Sequence, residues 1–108
     1  MTIISRQVDQ WVVIGSDLLV GPTDIDAKTV RLLAKGHWIG GPQDGEVFQA
    51  AHELSQGQSV QLGPMIVVTV VDILGDRVRL GVLAPAHLSV GKKEEVERQR
   101  KGASGGEE

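Results

Sequence analysis

The stretch that decides the fold is residues 75–90, which read Gly75-Asp-Arg-Val-Arg-Leu-Gly-Val-Leu-Ala-Pro-Ala-His-Leu-Ser-Val90. Within residues 77–83, apolar side chains alternate with arginine and glycine, which is typical of a β-strand that buries one face. A Gly-Asp turn signal precedes this strand, and the apolar run over residues 66–74 predicts the other arm of a hairpin. Proline has no N–H to donate to a sheet. Pro85 therefore predicts a corner, after which a new strand begins over residues 87–90.

The chain contains an internal repeat with a constant spacing. Residues 12–20 (VVIGSDLLV) match residues 60–68 (VQLGPMIVV), and residues 29–32 (TVRL) match residues 77–80 (RVRL). Both matches fall at an offset of 48 residues without a gap. A constant period indicates duplicated units that share one core.

The duplication predicts one all-β domain over residues 1–101. Repeat one covers about residues 1–54, and repeat two covers about residues 55–101. A short C-terminal helix is predicted over residues 92–101, because glutamates come first and arginine and lysine follow, as the helix dipole favours. Residues 102–108 have no apolar side chain larger than alanine, so we expect a disordered tail.

The strand pattern is clearer in repeat two than in repeat one. Predicted strands cover residues 3–7, 11–14, 18–25, 29–34 and 46–48 in repeat one and 58–62, 65–74, 77–83 and 87–90 in repeat two. Gly21 and Pro22 interrupt the third strand, so we expect a bulge or an edge position there. Residues 36–45 are rich in glycine and predict a long loop. Residues 48–54 contain good helix formers and predict a helical turn.

Composition and charge exclude several classes of protein. The sequence has no cysteine, which rules out disulfides and thiolate zinc sites and fits a reducing compartment. It has no apolar run of the roughly 18 residues that a membrane span needs, and no signal-peptide pattern. We therefore predict a cytoplasmic protein without a membrane partner. The net charge of −3 argues against binding nucleic acid by bulk charge, so any RNA site must be local.

Residues that could carry catalysis or bind a metal are scattered. His37, His52 and His87 lack carboxylates at ligand spacing, so no metal site is predicted. The glycines of residues 40–42 are not followed by the lysine and helix of a phosphate-binding loop. No nucleophile stands near a base. We expect a protein that is not an enzyme and has no cofactor.

Residues 77–85 read RVRLGVLAP, and the charged string KKEEV follows at residues 92–96. This arrangement resembles the carbon storage regulator family (CsrA, also called RsmA), small bacterial proteins that bind messenger RNA and control translation. The likeness extends back through residues 57–63 and 66–71, and residues 3–6 (IISR) resemble the opening strand of the family. The resemblance implies a homodimer of five-stranded chains that exchange strands.

In that family the first strand of one protomer lies beside the last strand of the other, and each seam is one RNA site. Two repeats in one chain would then form a strand-swapped β-sandwich or barrel, a monomeric pseudodimer. The resemblance predicts one intact seam between residues 3–7 and residues 87–90. The opposite seam is expected to be eroded, because residues 50–54 lack the β-branched and basic character of residues 3–6.

The resemblance also implies a ligand, a GGA-type hairpin loop in a messenger or small RNA, recognised largely by backbone groups at the Ala-Pro corner. The residues assigned to RNA binding are Ile4, Arg6, Ala84, Pro85, Ala86, Leu88, Lys92 and Lys93. On an extended strand Ile4 and Arg6 share a face, and a guanidinium can bind phosphate or guanine bidentately. Lys92 stands where the family usually carries arginine, and Gln7 replaces a second arginine, so the site is less basic.

Two functions remain open at this point. The first is a translational regulator that binds one RNA hairpin per chain, which the Ala-Pro corner and Arg6 favour. The second is a protein-interaction module or antagonist that has kept the scaffold and lost RNA binding, which the acidic balance favours. Arg77 and Arg79 are expected to be solvated or paired across strands rather than in contact with RNA.

Overall fold

In a computed structural model that describes residues 1–98, the chain forms antiparallel strands followed by a short helix. The strands are β1 (Thr2–Gln7), β2 (Val12–Ile14), β3 (Leu18–Ile25), β4 (Thr29–His37), β5 (Val47–Ser55), β6 (Ser59–Gly63), β7 (Ile66–Leu74), β8 (Arg77–Leu83) and β9 (Val90–Lys92). Helix α1 occupies residues 93–98. The predicted helix end at residue 101 and the predicted tail at 102–108 lie outside the described residues.

The strands form two antiparallel sheets that enclose one aliphatic core. One sheet has four strands in the order β1-β8-β7-β6, and the other has five in the order β5-β4-β3-β2-β9. Each sheet turns alternate side chains inward, so the core is built from both inner faces. Its largest fully buried side chains are Ile14, Leu18, Leu32, Leu62, Ile66 and Leu80. The predicted all-β fold with a C-terminal helix is confirmed.

The two halves of the chain have the same strand register at an offset of 48 residues. Thr2 pairs with Val82 in the β1–β8 ladder, and Ala50 pairs with Ala34 in the β5–β4 ladder. Residue 50 lies 48 positions after residue 2, and residue 34 lies 48 positions before residue 82, so the two pairs are equivalent. The first strand of each repeat therefore pairs with the fourth strand of the other repeat, which is a strand exchange within one chain.

One irregularity of each sheet repeats at the same offset. The register of β3 and β4 shifts between Pro22 and Asp24, and that of β7 and β8 shifts between Val70 and Asp72. The first of these shifts is the bulge that the glycine and proline in β3 predicted. A bulge preserved in both copies bends both sheets in the same way and supports their two-fold relationship.

The pairing predicted for the last strand is wrong. The opening strand β1 pairs with β8, and β9 pairs with β2. Residues 87–89 are not part of a strand, because the corner closes as a turn in which the N–H of Leu88 donates to the carbonyl of Pro85 at 3.0 Å. Strands β1 and β9 are nevertheless the end strands of their sheets on the same side of the molecule, where they contact each other.

The helical turn predicted for residues 48–54, and the short separate strand predicted before it, are also wrong. Strand β5 is continuous and pairs with β4 along its whole length, from Thr29 opposite Ser55 to His37 opposite Val47. A nine-residue ladder supplies backbone hydrogen bonds that outweigh a weak helix propensity. Strand β5 is therefore the first strand of repeat two, in residues whose lack of β-branched and basic character had suggested an eroded seam.

Strand β9 has no counterpart strand in repeat one. The positions 48 residues before it are residues 42–44, which lie in the loop between β4 and β5. That loop packs Gly40 and Gly41 against the ring of Pro64, just beyond the end of β6. Strand β6 is consequently the open edge of the four-stranded sheet, and the two sides of the molecule differ.

Candidate nucleic-acid interface

A groove of about 200 Å³ opens where the ends of β1 and β9 meet the start of β8. Its lining consists of Ser5, Arg6, Gln7, Gln10, Arg77 and Lys92. Three of these side chains are cations, two are amides, one is a hydroxyl, and none is an acid. A concave surface lined by one sign of charge attracts ligands of the opposite sign, so this groove favours anions.

Arg6 forms the floor of the groove and is only 4% exposed. Its Nε donates to the carbonyl of Ser5 at 2.8 Å, and its Nη1 donates to the carbonyl of Trp11 at 3.2 Å. The same Nη1 donates to Oε1 of Glu94 in α1 at 2.7 Å. A buried charge is tolerated only when it is paired and hydrogen-bonded. These contacts therefore commit much of the Arg6 guanidinium to joining β1, the residue before β2 and the helix.

The ion pair with Arg6 also lowers the pKa of Glu94. The hydrogen bond from Arg6 lowers the pKa of Glu94 below its ordinary value of 4.5, and a backbone hydrogen bond lowers it further. Glu94 is therefore ionised at neutral pH and offsets part of the charge of Arg6. The remaining positive charge of the groove comes from Arg77 and Lys92.

The other two cations come from different sheets. Arg77 begins β8, lies opposite Gln7 of β1, and has a side chain that is 60% exposed. Lys92 ends β9, lies opposite Val12 of β2 and is half-buried. Of the residues that line the groove, the predicted set contains Arg6 and Lys92 but not Ser5, Gln7, Gln10 or Arg77. Their proximity to Lys92 depends on the pairing of β1 with β8, which the sequence pattern did not reveal.

The Ala-Pro corner lies at the other end of β9. Ala84 and Leu88 are half-buried against the core, whereas Ala86 is exposed and Pro85 is half-buried. The corner is anchored because the N–H of Gly15 donates to the carbonyl of Ser89 at 2.8 Å. Since β9 has three residues at about 3.3 Å each, the corner and the cationic groove are about 10 Å apart.

With two exceptions, the structure places the predicted RNA-binding residues in two groups on one side of the molecule. Arg6 and Lys92 line the groove, and Ala84, Pro85, Ala86 and Leu88 form the corner. Ile4 is 7% exposed and packs in the core, on the inward face that it shares with Arg6, as the strand periodicity predicted. Lys93 turns its ammonium group to Glu97 of the same helix, at 3.4 Å. The backbone N–H of Lys93 donates to the carbonyl of Trp11 at 3.1 Å, which fixes the start of α1 beside β2.

Other chemistry is not supported within residues 1–98. No group of three or more histidine, cysteine, aspartate or glutamate side chains in this part of the chain could hold a metal ion. His37 pairs with Asp17, far in sequence from the other two histidines. In the same residues, no helix has the length and apolar character that crossing a membrane requires.

Comparisons with known proteins match the second half of the chain. Residues 55–101 match the family model CsrA, described as a global regulator protein family. The translational regulator CsrA of Syntrophomonas wolfei is 42% identical over 45 residues, which cover 42% of this chain and 59% of that protein. The translational regulator CsrA of Leptospira biflexa is 41% identical over 51 residues, which cover 44% of this chain and 65% of that protein.

A third relative, the translational regulator CsrA of Bacillus velezensis, is 43% identical over 37 residues, covering 34% of this chain and half of that protein. The chain thus spans between half and two thirds of the length of these curated relatives. No solved structure matches the chain significantly. The matched residues contain β6 to β9 and the helix, including the corner and the groove cations Arg77 and Lys92.

The family is one of regulators rather than of enzymes, in agreement with the expectation from the sequence. The Ala-Pro corner, strands β6 to β9 and the family match fall in the same segment of the chain. Residues 55–101 of this chain are thus similar to the CsrA family.

Proposed function

We propose that the protein is an RNA-binding translational regulator that recognises a GGA-type hairpin loop of a messenger or small RNA through one site per chain. The site consists of the Ala-Pro corner and the cationic groove at the two ends of β9. Ala84, Pro85, Ala86 and Leu88 present backbone groups to the bases, and Lys92 supplies positive charge. Lys93 supplies less, because its ammonium group lies 3.4 Å from Glu97. Ile4 and Arg6 hold β1 in place and give the groove its floor.

The observation that carries this proposal is the charge of the groove. A protein with a net charge of −3 nevertheless has a concavity lined by three cations and no acid. Single-stranded RNA offers phosphates to such a groove and unstacked base edges to nearby backbone groups. The matched relatives are named translational regulators, which supports the same function for this chain.

The other side of the molecule supports a single site. The turn after the first strand is equivalent on both sides, since Oε1 of Gln10 accepts from the N–H of Gln7 at 2.9 Å and Oε1 of Gln58 accepts from that of Ser55 at 2.8 Å. The charges of the two sides are not equivalent. The counterparts of Ser5, Arg6, Arg77 and Lys92 at the offset of 48 are Glu53, Leu54, Thr29 and Asp44. Three cations and a serine are replaced by two acids and two neutral residues, so these positions do not favour a phosphate.

A protein-interaction module or antagonist is the second candidate. The ion pair between Arg6 and Glu94 favours it, because this contact occupies a guanidinium that the resemblance assigns to RNA. In this alternative the chain keeps the scaffold and binds a protein. We also propose that the protein is cytoplasmic, where messenger RNA is translated, and that one chain forms a monomeric pseudodimer.

A binding titration with a fluorescent GGA-loop hairpin, followed by anisotropy, tests the RNA proposal. Substituting Lys92→Gln should weaken binding about tenfold, or about 1.4 kcal/mol. The variant Lys28→Gln is a matched control, because it removes the same charge from the exposed turn between β3 and β4. For about three neutralised phosphates, the log–log salt slope should be near −2. Absence of binding at low salt by the folded protein would reject the RNA site in favour of the antagonist.

A further inference from the structure

We propose that Arg77 binds the RNA phosphate backbone in the groove that it lines together with Lys92. This inference rests on the proposed function and extends its site from β9 to the β1–β8 ladder. The ligand class is a phosphodiester of the hairpin. Arg77 is therefore assigned a contact with RNA rather than the solvated or strand-pairing role that the sequence suggested.

The first support is the position of Arg77. It lies in the lining of the groove together with Lys92 and the floor residue Arg6. Its side chain is 60% exposed, and its Nε lies 3.9 Å from a carboxylate oxygen of Asp76, at the long limit of an ion pair. The same Asp76 accepts a hydrogen bond from the amide of Gln7 at 3.2 Å. A weak, exposed pair of this kind is easily replaced by a phosphate.

The second support is the contrast with Arg79. This residue lies two positions further along β8, so its side chain is on the same face of the strand. Arg79, however, forms a close ion pair with Asp72 of β7 and is not part of the groove lining. Of the two arginines of β8, only Arg77 faces the groove.

The third support comes from the duplicated unit. Thr29 is the counterpart of Arg77, and it pairs with Ser55 as Arg77 pairs with Gln7. The fold therefore accepts a small neutral residue at this position, and the β1–β8 ladder does not require an arginine. The cation occurs only in the copy whose groove also has Lys92.

The chemistry of the groove suits a phosphate. A guanidinium binds phosphate oxygens bidentately, whereas an ammonium acts as a point charge from any direction. Arg77 and Lys92 would thus hold a phosphate group together, with Gln10 and Ser5 as neutral hydrogen-bonding groups nearby. A volume of about 200 Å³ is several times the roughly 30 Å³ of a water molecule, so a phosphate fits.

The test compares Arg77→Gln, Arg77→Lys and the matched control Arg79→Gln in titrations with the GGA-loop hairpin over a range of salt concentrations. Arg77→Gln should weaken binding about tenfold at low salt and reduce the magnitude of the salt slope by about 0.7, the contribution of one phosphate. Arg77→Lys keeps the positive charge, so its salt slope should equal that of the unsubstituted protein. Arg79→Gln should stay within about twofold of the unsubstituted protein.

A phosphate contact carries no sequence information, so Arg77→Gln should weaken binding to a hairpin with an altered loop by the same factor. A purely structural role for Arg77 would leave the salt slope unchanged. If the unsubstituted protein binds and Arg77→Gln behaves like Arg79→Gln, this inference fails while the proposed function stands. If the unsubstituted protein does not bind the hairpin, both fail.

Discussion

Arg6 of the first strand and Glu94 of the last helix are joined by a hydrogen bond of 2.7 Å between Nη1 and Oε1, across a separation of 88 residues. The guanidinium is 4% exposed and the carboxylate 50%. Because β1 belongs to the four-stranded sheet and α1 follows the end strand of the other sheet, this ion pair connects the two sheets. The same guanidinium also binds the carbonyl of Trp11, just before β2. One side chain therefore holds together the side of the molecule that carries the groove.

Replacing Arg6 by alanine should destabilise the protein by about 2–3 kcal/mol, because the carbonyl of Trp11 and the carboxylate of Glu94 lose a charged donor. The control Arg79→Ala also breaks an ion pair, but both partners there are partly exposed. Arg79→Ala should therefore lower the free energy of unfolding by no more than about 1 kcal/mol. Urea unfolding followed by tryptophan fluorescence measures both values. Equal losses would contradict a structural role specific to Arg6.

The Arg6–Glu94 pair should make stability depend on pH. The pKa of Glu94 is lowered in the folded state, so its contribution is present above its ordinary pKa of 4.5 and is lost as the pH falls through the folded value. The difference in unfolding free energy between the protein and its Glu94→Gln variant should be constant above about pH 6 and shrink below about pH 4.5. A difference that does not change with pH would show that the carboxylate charge is not involved.

Gly21 and Gly81 both lie in strands, but they should respond differently to alanine. A Cβ atom at Gly21 would lie 2.4 Å from the backbone carbonyl oxygen of Gln10. Because the backbone at Gln10 cannot move aside, Gly21→Ala should lower the free energy of unfolding by about 1–3 kcal/mol. At Gly81 the nearest atom, at 2.6 Å, is the sulfur of Met1, the flexible end of an exposed side chain, and the next is a methyl carbon of Val71 at 3.1 Å.

Because Met1 can change rotamer, Gly81→Ala should alter stability by less than about 1 kcal/mol, in either direction. Thermal and urea unfolding of both variants measure the difference. A greater loss at Gly81 than at Gly21 would contradict the packing argument.

Because one chain contains both of the exchanged strands, it should fold as a monomer without a second chain. We expect sedimentation equilibrium at micromolar concentration to give a single species of 11.5 kDa. Strand β6 is one of the end strands of the two sheets, so it offers a place where two chains could pair. A stable species of twice that mass would contradict the monomeric pseudodimer, and a charged substitution such as Gln61→Lys would then be expected to disrupt it.

Much of the fold was predictable because it depends on short-range patterns. The alternation of apolar residues in β8 predicted the bounds Arg77–Leu83 correctly. The offset of 48 predicted two copies of one unit, and Gly21 with Pro22 predicted the irregularity in β3. The loop after β4 was also expected from its glycines. Each of these signals lies within a few residues of the feature that it predicts.

The candidate site was predictable only in part. Sequence reasoning named Arg6 and Lys92, which do line one groove, and the corner residues that lie at the other end of β9. It missed Arg77, and it placed Ile4 in contact with RNA although that side chain is 7% exposed and packs in the core. Periodicity identifies the residues that share a face of a strand, but it does not identify the strand that lies beside it.

The amino-acid sequence alone determined that this protein is an all-β chain with a duplicated unit and a CsrA-like second half. The folded structure was needed to show that β1 pairs with β8, that β5 is a strand and not a helical turn, and that Arg77 and Lys92 line the same groove. Strand pairing depends on contacts between residues that are far apart in the sequence. Backbone hydrogen bonds form with any strand of suitable length, so the partner is selected by how the whole core packs.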